Sequence, residues 1–174
     1  MQEYGTERTL FTRDAIAQRV EIVAREIAAR SVSPEVAVPV LAGAFVFAAD
    51  LLRALARQGL ELETEFIWLR SYGPLLKPGE LQILHAPGES VRGRAVLLID
   101  GVLDRGATLA AAKKLLDAAG AATIISAVAV VKAAPAPLFK ADHALFHAGP
   151  EFLYGYGMDW SGRGRGLPDI RVRT

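Results

Sequence analysis

Two aspartates, Asp100 and Asp104, end an apolar run and lead into Arg105-Gly106-Ala107-Thr108. The whole stretch, Val96 to Leu109, reads V-L-L-I-D-G-V-L-D-R-G-A-T-L and passes into an Ala/Leu-rich helix. Carboxylates at such a turn can hold sugar hydroxyls or work as a base. Free backbone N–H groups at a helix start can hold a phosphate; Gly106 lets the backbone come close to the anion and Thr108 adds a hydroxyl donor. Together these groups suit a phosphorylated sugar. The same spacing also fits solvated acids at a strand end. It is not a P-loop, because no Lys follows the glycine.

The flanking elements must hold that turn in place. Ile16, Val20, Val23 and Ile27 recur at helical spacing with Thr12 as N-cap, which predicts an amphipathic helix over 13–30, stopped at Ser33-Pro34. Val36 to Leu41 reads as a buried strand, and Gly43 allows a tight turn into a helix carrying Phe47, Leu51 and Leu55, closed by Gly59. Glu61 to Tyr72 alternates as a strand, 73–79 holds two Pro and two Gly and reads as a mobile loop, and Leu81 to Leu84 reads as a short strand. Ala95 to Ile99 predicts a fully buried strand, with Asp100 and Asp104 where it stops. Thr108 to Ala119 predicts a helix ended by Gly120. Ile124 to Val131, Ala144 to Phe146 and Phe152 to Tyr154 complete the strands. This alternation implies a mainly parallel α/β sheet with helices on both faces and ligands at the carboxyl ends of its strands.

Composition narrows the function classes. The 174 residues suit one domain, 1–174, with a single sizeable core. Lys+Arg 20 against Asp+Glu 19 leaves a net charge of +1, so no overall field points to nucleic acid or a membrane. With no Cys, a thiolate metal site and a Cys nucleophile are excluded. The polar N-terminus and the short apolar runs predict a cytoplasmic protein. His143 and His147 lie close together without a third ligand nearby, and Gly155-Tyr156-Gly157 lacks the spacing of a dinucleotide fingerprint.

The Val96–Leu109 segment resembles the phosphoribosyl-pyrophosphate motif of type I phosphoribosyltransferases, most of all that of hypoxanthine-guanine phosphoribosyltransferases. The likeness extends to V-L-A-G-A-F-V-F-A-A-D-L-L for a first loop and helix, and to F-I-W-L-R-S-Y for the strand before a catalytic lid. V-V-K, ending at Lys132, and F-L-Y-G-Y-G-M-D-W with Arg165 beyond it complete the series in register. The resemblance implies a parallel twisted sheet flanked by helices, with a small hood formed by the chain termini. It implies transfer of the 5-phosphoribosyl group from phosphoribosyl pyrophosphate to a 6-oxopurine, a purine-salvage reaction through an oxocarbenium-like transition state.

On this resemblance Asp104 is the base that takes the purine N7 proton, Arg105 to Thr108 cradle the 5′-phosphate, and Asp100 holds ribose hydroxyls. Ala42 and Gly43 contact pyrophosphate through their backbone, and Ser71 and Tyr72 begin the lid. Lys132 donates to the 6-oxo group, Phe152 stacks on the purine, the Leu153 carbonyl accepts from its edge, and Arg165 clamps pyrophosphate. Asp159, with Asp100, binds Mg²⁺. Relatives are dimers or tetramers, so a homo-oligomer is implied as well, with apolar residues of the first-loop helix and around Trp68 as its surface.

Two positions depart from the pattern. Gly101 stands where the family has a second ribose-holding acid, a loss that costs about 1.5–3 kcal/mol for a charged hydrogen bond; by this reading Gly101→Asp tightens phosphoribosyl-pyrophosphate binding. Ala42 replaces a Lys found in some relatives. Gly101 and the repeat Arg163-Gly164-Arg165-Gly166 also motivate an alternative, a regulator of the same fold that binds nucleotide or RNA. Transfer to another base such as xanthine is a third reading.

Overall fold

Among the described residues of this computed structural model, 7–70, 81–135 and 137–173, thirteen elements follow one another. They are β1 (Glu7–Phe11), α1 (Arg13–Ala28), β2 (Val36–Leu41), α2 (Phe45–Arg57), β3 (Glu63–Thr64), β4 (Ile67–Arg70) and β5 (Gln82–His85), then β6 (Ala95–Leu103), α3 (Ala107–Ala118), β7 (Thr123–Lys132), β8 (His143–Ala148), β9 (Phe152–Tyr154) and β10 (Ile170–Arg173). A single 3₁₀ turn, Glu89–Val91, precedes β6. The loop predicted over 73–79 lies outside the described residues.

Seven strands make the main sheet in the order β5-β4-β2-β6-β7-β8, with β3 paired to the start of β2. All neighbours are parallel except β4 and β5. From β2 the chain moves through α2 toward β4, whereas from β6 it moves through α3 toward β7 and β8. The order therefore reverses between β2 and β6, where open α/β sheets form their ligand crevice. The local register opens that crevice. Pro39, which has no N–H to give, is the last β2 residue in register with β6, opposite Ile99. Beyond it, Val40 and Leu41 pair with β4 instead. β6 continues on its other edge alone, against β7 from Asp100↔Val128 to Leu103↔Val131.

Alternation along β6 divides the core. Leu97 and Ile99 pack beneath α1 and α2 with Phe47, Leu51 and Leu55. Val96 and Leu98 pack beneath α3 with Leu109, Ala112 and Leu116. Helices thus cover both faces, as the alternation of elements predicts. Thr12 caps α1 by accepting from the Ala15 N–H at 3.3 Å. Ser126 and Asp142 tie β7 to the start of β8: the Asp142 carboxylate accepts from both the Ser126 N–H and its hydroxyl, and the Asp142 N–H donates to Ser126 Oγ.

A second, three-stranded antiparallel sheet, β1-β10-β9, joins the two ends of the chain as a hood. Its apolar residues Leu153, Ile170 and Val172 enter the core under α1 and α2. Tyr156 fastens it to α2 by donating to Asp50 Oδ2 at 2.9 Å, and burial together with that carboxylate pushes the phenol well above its usual range.

Several boundaries differ from the sequence reading. The strand predicted over 61–72 is two pieces, because Glu63-Thr64-Glu65 offers no apolar side chain to bury and the in–out alternation starts only at Ile67. The short strand near 81 begins one residue later, at Gln82. β6 runs on through Asp100 to Leu103, so Asp100 lies within the strand and not at its end. Two hood strands, the edge strand β1 and the central strand β10, went unread as strands.

Phe47 is fully buried between the sheet and the hood, its ring 6.4 Å from that of Tyr156. Phe47→Ala should cost about 3–5 kcal/mol of unfolding free energy, through lost burial and the cavity left behind. Urea unfolding monitored by circular dichroism measures it; a loss below 1 kcal/mol would mean that the hood does not close over α2 as described.

Candidate functional site

The alternation that sorts the core also aims the motif. Up to Ile99 the even-numbered residues of β6 face α3 and the odd-numbered ones face α1 and α2; the order inverts across Asp100-Gly101, since Val102 packs on the α1–α2 side and Leu103 on the α3 side. Asp100 is 8 % exposed, and its Oδ1 accepts from the Gly101 N–H at 2.7 Å. Among the described residues no cation pairs with it. Burial pushes its carboxyl up to about 7, against the opposing pull of that one N–H.

Past Leu103 the chain turns through Asp104 and Arg105 into α3. Gly106 takes a left-handed conformation, φ +86°, and a Cβ there would sit 2.7 Å from Phe139 Cβ. The turn is backed by the segment after β7, where the Leu138 N–H donates to the Arg105 carbonyl at 2.8 Å. No side chain caps α3, so the first-turn N–H groups are left for a ligand. In front of them lies a pocket of about 290 Å³ lined by Asp100, Asp104, Arg105, Gly106, Ala107 and Thr108.

A larger cleft of about 680 Å³ adjoins it and shares Asp100, Val102 and Thr108. One wall is the first loop, with Ala42 and Gly43 after a cis Leu41–Ala42 peptide. Another is the hood, with Phe152, Leu153, Met158, Asp159 and Arg165; a third is β4, with Trp68 and Arg70. Phe152 is 52 % exposed, an aromatic face open to a planar ligand. Asp159 and Arg165 already bond each other, Arg165 Nη2 lying 2.7 Å from Asp159 Oδ1. Arg165 Nη1 also donates to the Gly157 carbonyl, and the Gly162 N–H donates to Asp159 Oδ2.

Lys132, at the end of β7, reaches across to Asp104, with Nζ 3.5 Å from Oδ2. Its side chain is mostly buried whereas that of Asp104 is mostly exposed, so a cationic donor and an anionic acceptor stand side by side at the pocket mouth.

Ala42, Gly43, Asp100, Thr108, Phe152, Leu153, Asp159 and Arg165 thus line one cleft, Asp104 to Ala107 line its extension, and Lys132 joins through Asp104. Ser71 and Tyr72 lie outside the described residues. Trp68, read in the sequence as part of an oligomer surface, and Arg70 and Met158, not singled out there, also line the cleft. The in–out alternation of Ile67–Arg70 was a usable signal for the first two, since with Ile67 and Leu69 buried, Trp68 and Arg70 must face outward.

The reading of Gly101 needs correction. A Cβ at this position would stand 2.7 Å from the Gly43 carbonyl oxygen, 3.1 Å from its carbon and 3.4 Å from Met158 Cγ. An aspartate here displaces the first loop before it can reach a ribose, so Gly101→Asp cannot simply restore a missing contact.

Among the described residues no three His, Cys, Asp or Glu side chains gather into a metal cage. Mg²⁺ needs none, because it usually keeps waters and takes one or two carboxylates plus substrate phosphates. Asp100, buried in a cleft wall without a countercharge, fits that demand; Asp159 fits as a second carboxylate already oriented by Arg165 and Gly162.

A model of the phosphoribosyl transferase domain matches residues 9–154. The chain belongs to the type I phosphoribosyltransferases. It is 34% identical over 167 residues to the hypoxanthine-guanine phosphoribosyltransferase of Aquifex aeolicus, an alignment covering 94% of this chain and 92% of that one. To the enzyme of the same name from Bacillus subtilis it is 30% identical over 175 residues, covering 99% and 96%. In structure it is similar to the hypoxanthine phosphoribosyltransferase of Trypanosoma cruzi solved with the product IMP. That match has a TM-score of 0.86 at 30% identity and covers 100% of this chain and 97% of that one.

Asp100 makes the ligand-free protein's stability depend on pH. Its folded-state pKa, about 7, lies above its ordinary value of 3.8, so the native state holds the proton more tightly than the unfolded chain. The burial penalty is full above pH 7 and is relieved as pH falls toward 4. Asp100→Asn should therefore raise the Tm by several degrees at pH 8 in metal-free buffer, with the gain shrinking steadily toward pH 4. A thermal scan showing equal Tm values for the two proteins at pH 8 would contradict the burial described.

Proposed function

We propose that the protein is a purine-salvage transferase that joins a 6-oxopurine to the 5-phosphoribosyl group of phosphoribosyl pyrophosphate and releases pyrophosphate. The observation that carries this reading is the Lys132–Asp104 pair at the mouth of a sugar-phosphate pocket. A free 6-oxopurine in its N7–H form offers an acceptor, O6, beside a donor on one edge. A lysine next to a carboxylate is the complement of that edge. Adenine places an amino donor at the same position and meets the lysine donor to donor.

In this reading Phe152 stacks on the base, the Leu153 carbonyl accepts from its edge, and the α3 N–H groups with Arg105 to Thr108 hold the 5′-phosphate. Asp100 accepts from ribose hydroxyls. Arg165, already oriented by Asp159, and the backbone of Ala42 and Gly43 bind pyrophosphate, and Ser71 and Tyr72 begin the lid. N9 of the base then attacks C1′ as the bond to pyrophosphate breaks, and the N7 proton passes to Asp104. Mg²⁺ held by Asp100 and Asp159 would neutralise the leaving pyrophosphate. Arg70, on the β4 wall, adds a second positive charge to the same cleft.

The regulator alternative is not favoured. The curated relatives described above carry the names of enzymes, and Arg165 is engaged inside the fold by Asp159 and Gly157. Choice among hypoxanthine, guanine and xanthine rests on the base edge away from Lys132. A homo-oligomer is supported by exposed Phe45, Phe66, Trp68 and Ile83, large apolar side chains on α2 and the β4–β5 edge.

The test is an absorbance assay with Mg²⁺, phosphoribosyl pyrophosphate and one free base at a time. Turnover is expected with hypoxanthine or guanine and not with adenine; nucleotide formed from adenine alone would sink the proposal. Asp104→Asn should lower kcat by about 10²-fold or more, the scale of a lost general base, with KM values changed only severalfold. Near-normal turnover in that variant would remove Asp104 from the role of base.

A further inference from the structure

The first loop is seated against this chain's departure from the family pattern. The Gly43 carbonyl oxygen occupies a notch between two glycines. A Cβ on Gly101 would stand 2.7 Å from it, and one on Gly157 would stand 2.6 Å from it. The notch is held from behind, because Gly157 is tied to Arg165 at both polar groups. Its N–H donates to the Arg165 carbonyl at 2.9 Å, and its carbonyl accepts from Arg165 Nη1 at 2.7 Å. Gly43, only partly buried, also lines the cleft that Asp100 lines. Among the described residues none donates a hydrogen bond to its carbonyl.

An oxygen that close to the Cβ position of residue 101 stands about where the carboxylate of an aspartate there would lie. It is an acceptor, as a carboxylate is, and it is held between the backbones of Gly101 and Gly157. We propose that the Gly43 main-chain carbonyl takes over the missing acid's work by accepting a hydrogen bond from a ribose hydroxyl, with Gly101 and Gly157 as the positioning residues that make room for it. The assignment rests on the transferase reading above. A neutral acceptor gives a weaker bond than a carboxylate but carries no burial cost of charge beside Asp100. Loop seat and second acid are mutually exclusive: a side chain at 101 displaces the carbonyl that does the acid's work.

The test is calorimetric binding of IMP, 2′-deoxy-IMP and 3′-deoxy-IMP to the wild type, Gly101→Ala and Asp100→Ala. Gly101→Ala should weaken IMP by about threefold to tenfold, the scale of one neutral hydrogen bond. It should leave nearly unchanged the binding of the analogue that lacks the hydroxyl Gly43 holds. An equal loss for all three ligands would mean that the glycines serve packing alone, and unchanged IMP binding would mean that the carbonyl holds nothing; either overturns the assignment. Asp100→Ala keeps the loop seat intact whatever becomes of the Gly101 variant. It should retain at least a threefold preference for IMP over one deoxy analogue, and loss of all preference overturns the assignment. Gly101→Asp should bind IMP more weakly than the wild type, and tighter binding overturns it as well. A wild type that binds none of the three overturns the transferase reading itself, an outcome visible before any variant is made.

Discussion

Asp100 sits within a parallel strand, shielded from water, with the N–H of its own neighbour as its hydrogen-bond donor. A carboxylate in that position is held at a disadvantage in the ligand-free protein, and the fold tolerates it because the rest of β6 is so thoroughly buried. Val96 to Ile99 are fully buried on both faces of the strand. At about 25 cal/mol per Å² of apolar surface removed from water, such a strand sustains one unfavourable polar group within it. In the proposed reading the cost is recovered when ribose hydroxyls or a cation arrive. A site of this kind binds by relieving a penalty already present, so its affinity is set partly by how firmly the empty state is held in place.

The crevice follows from the same strand. β2 lies against β6 only as far as Pro39 and Ile99, then turns to β4. β6 keeps its ladder to β7 for four more residues. Divergence of the two strands leaves a gap whose one lip is the first loop and whose other is Asp100 and Val102. Because α2 and α3 leave on opposite faces, neither helix covers the gap. The hood closes one side of it with Phe152 and Leu153, and both chain ends must be in place for that wall to exist, since β10 pairs with β1 on one edge and β9 on the other.

The features legible in the sequence were those written as uninterrupted runs. Val36 to Leu41 showed both ends of its strand because a continuous apolar hexamer leaves little choice, and the turn from Asp104 to Thr108 showed its phosphate chemistry through glycine and threonine. β1 and β10 were hidden because Glu7–Phe11 and Ile170–Arg173 each carry only two apolar residues among charged or polar ones, and because they pair with each other across most of the chain's length. The extension of β6 was hidden for another reason: a charged residue within a buried strand reads as its end unless a neighbour is known to continue the ladder. Gly101 was the most misleading residue. Sequence shows that an acid is absent there, whereas only the folded chain shows that a carbonyl from residue 43 fills the space.

The Lys132–Asp104 pair spans 28 residues of sequence and joins the phosphate turn to the end of the next strand. Parallel neighbours bring the carboxyl ends of β6 and β7 side by side, so the residue closing one strand and the residue opening the loop after the other become neighbours, and the Leu138 N–H bond to the Arg105 carbonyl ties the two segments together. That proximity places a donor and an acceptor side by side, the arrangement a 6-oxopurine presents in reverse. In the proposed reading base recognition and proton removal fall on one pair of side chains, and strand register sets where the two stand. The hood brings Phe152, Leu153, Asp159 and Arg165 to the cleft, and its position relative to the pair is set by the burial of Leu153, Ile170 and Val172 beneath α1 and α2. On that reading the central sheet supplies the groups for one edge of the base, while the hood supplies its stacking face and the carbonyl for the edge away from Lys132.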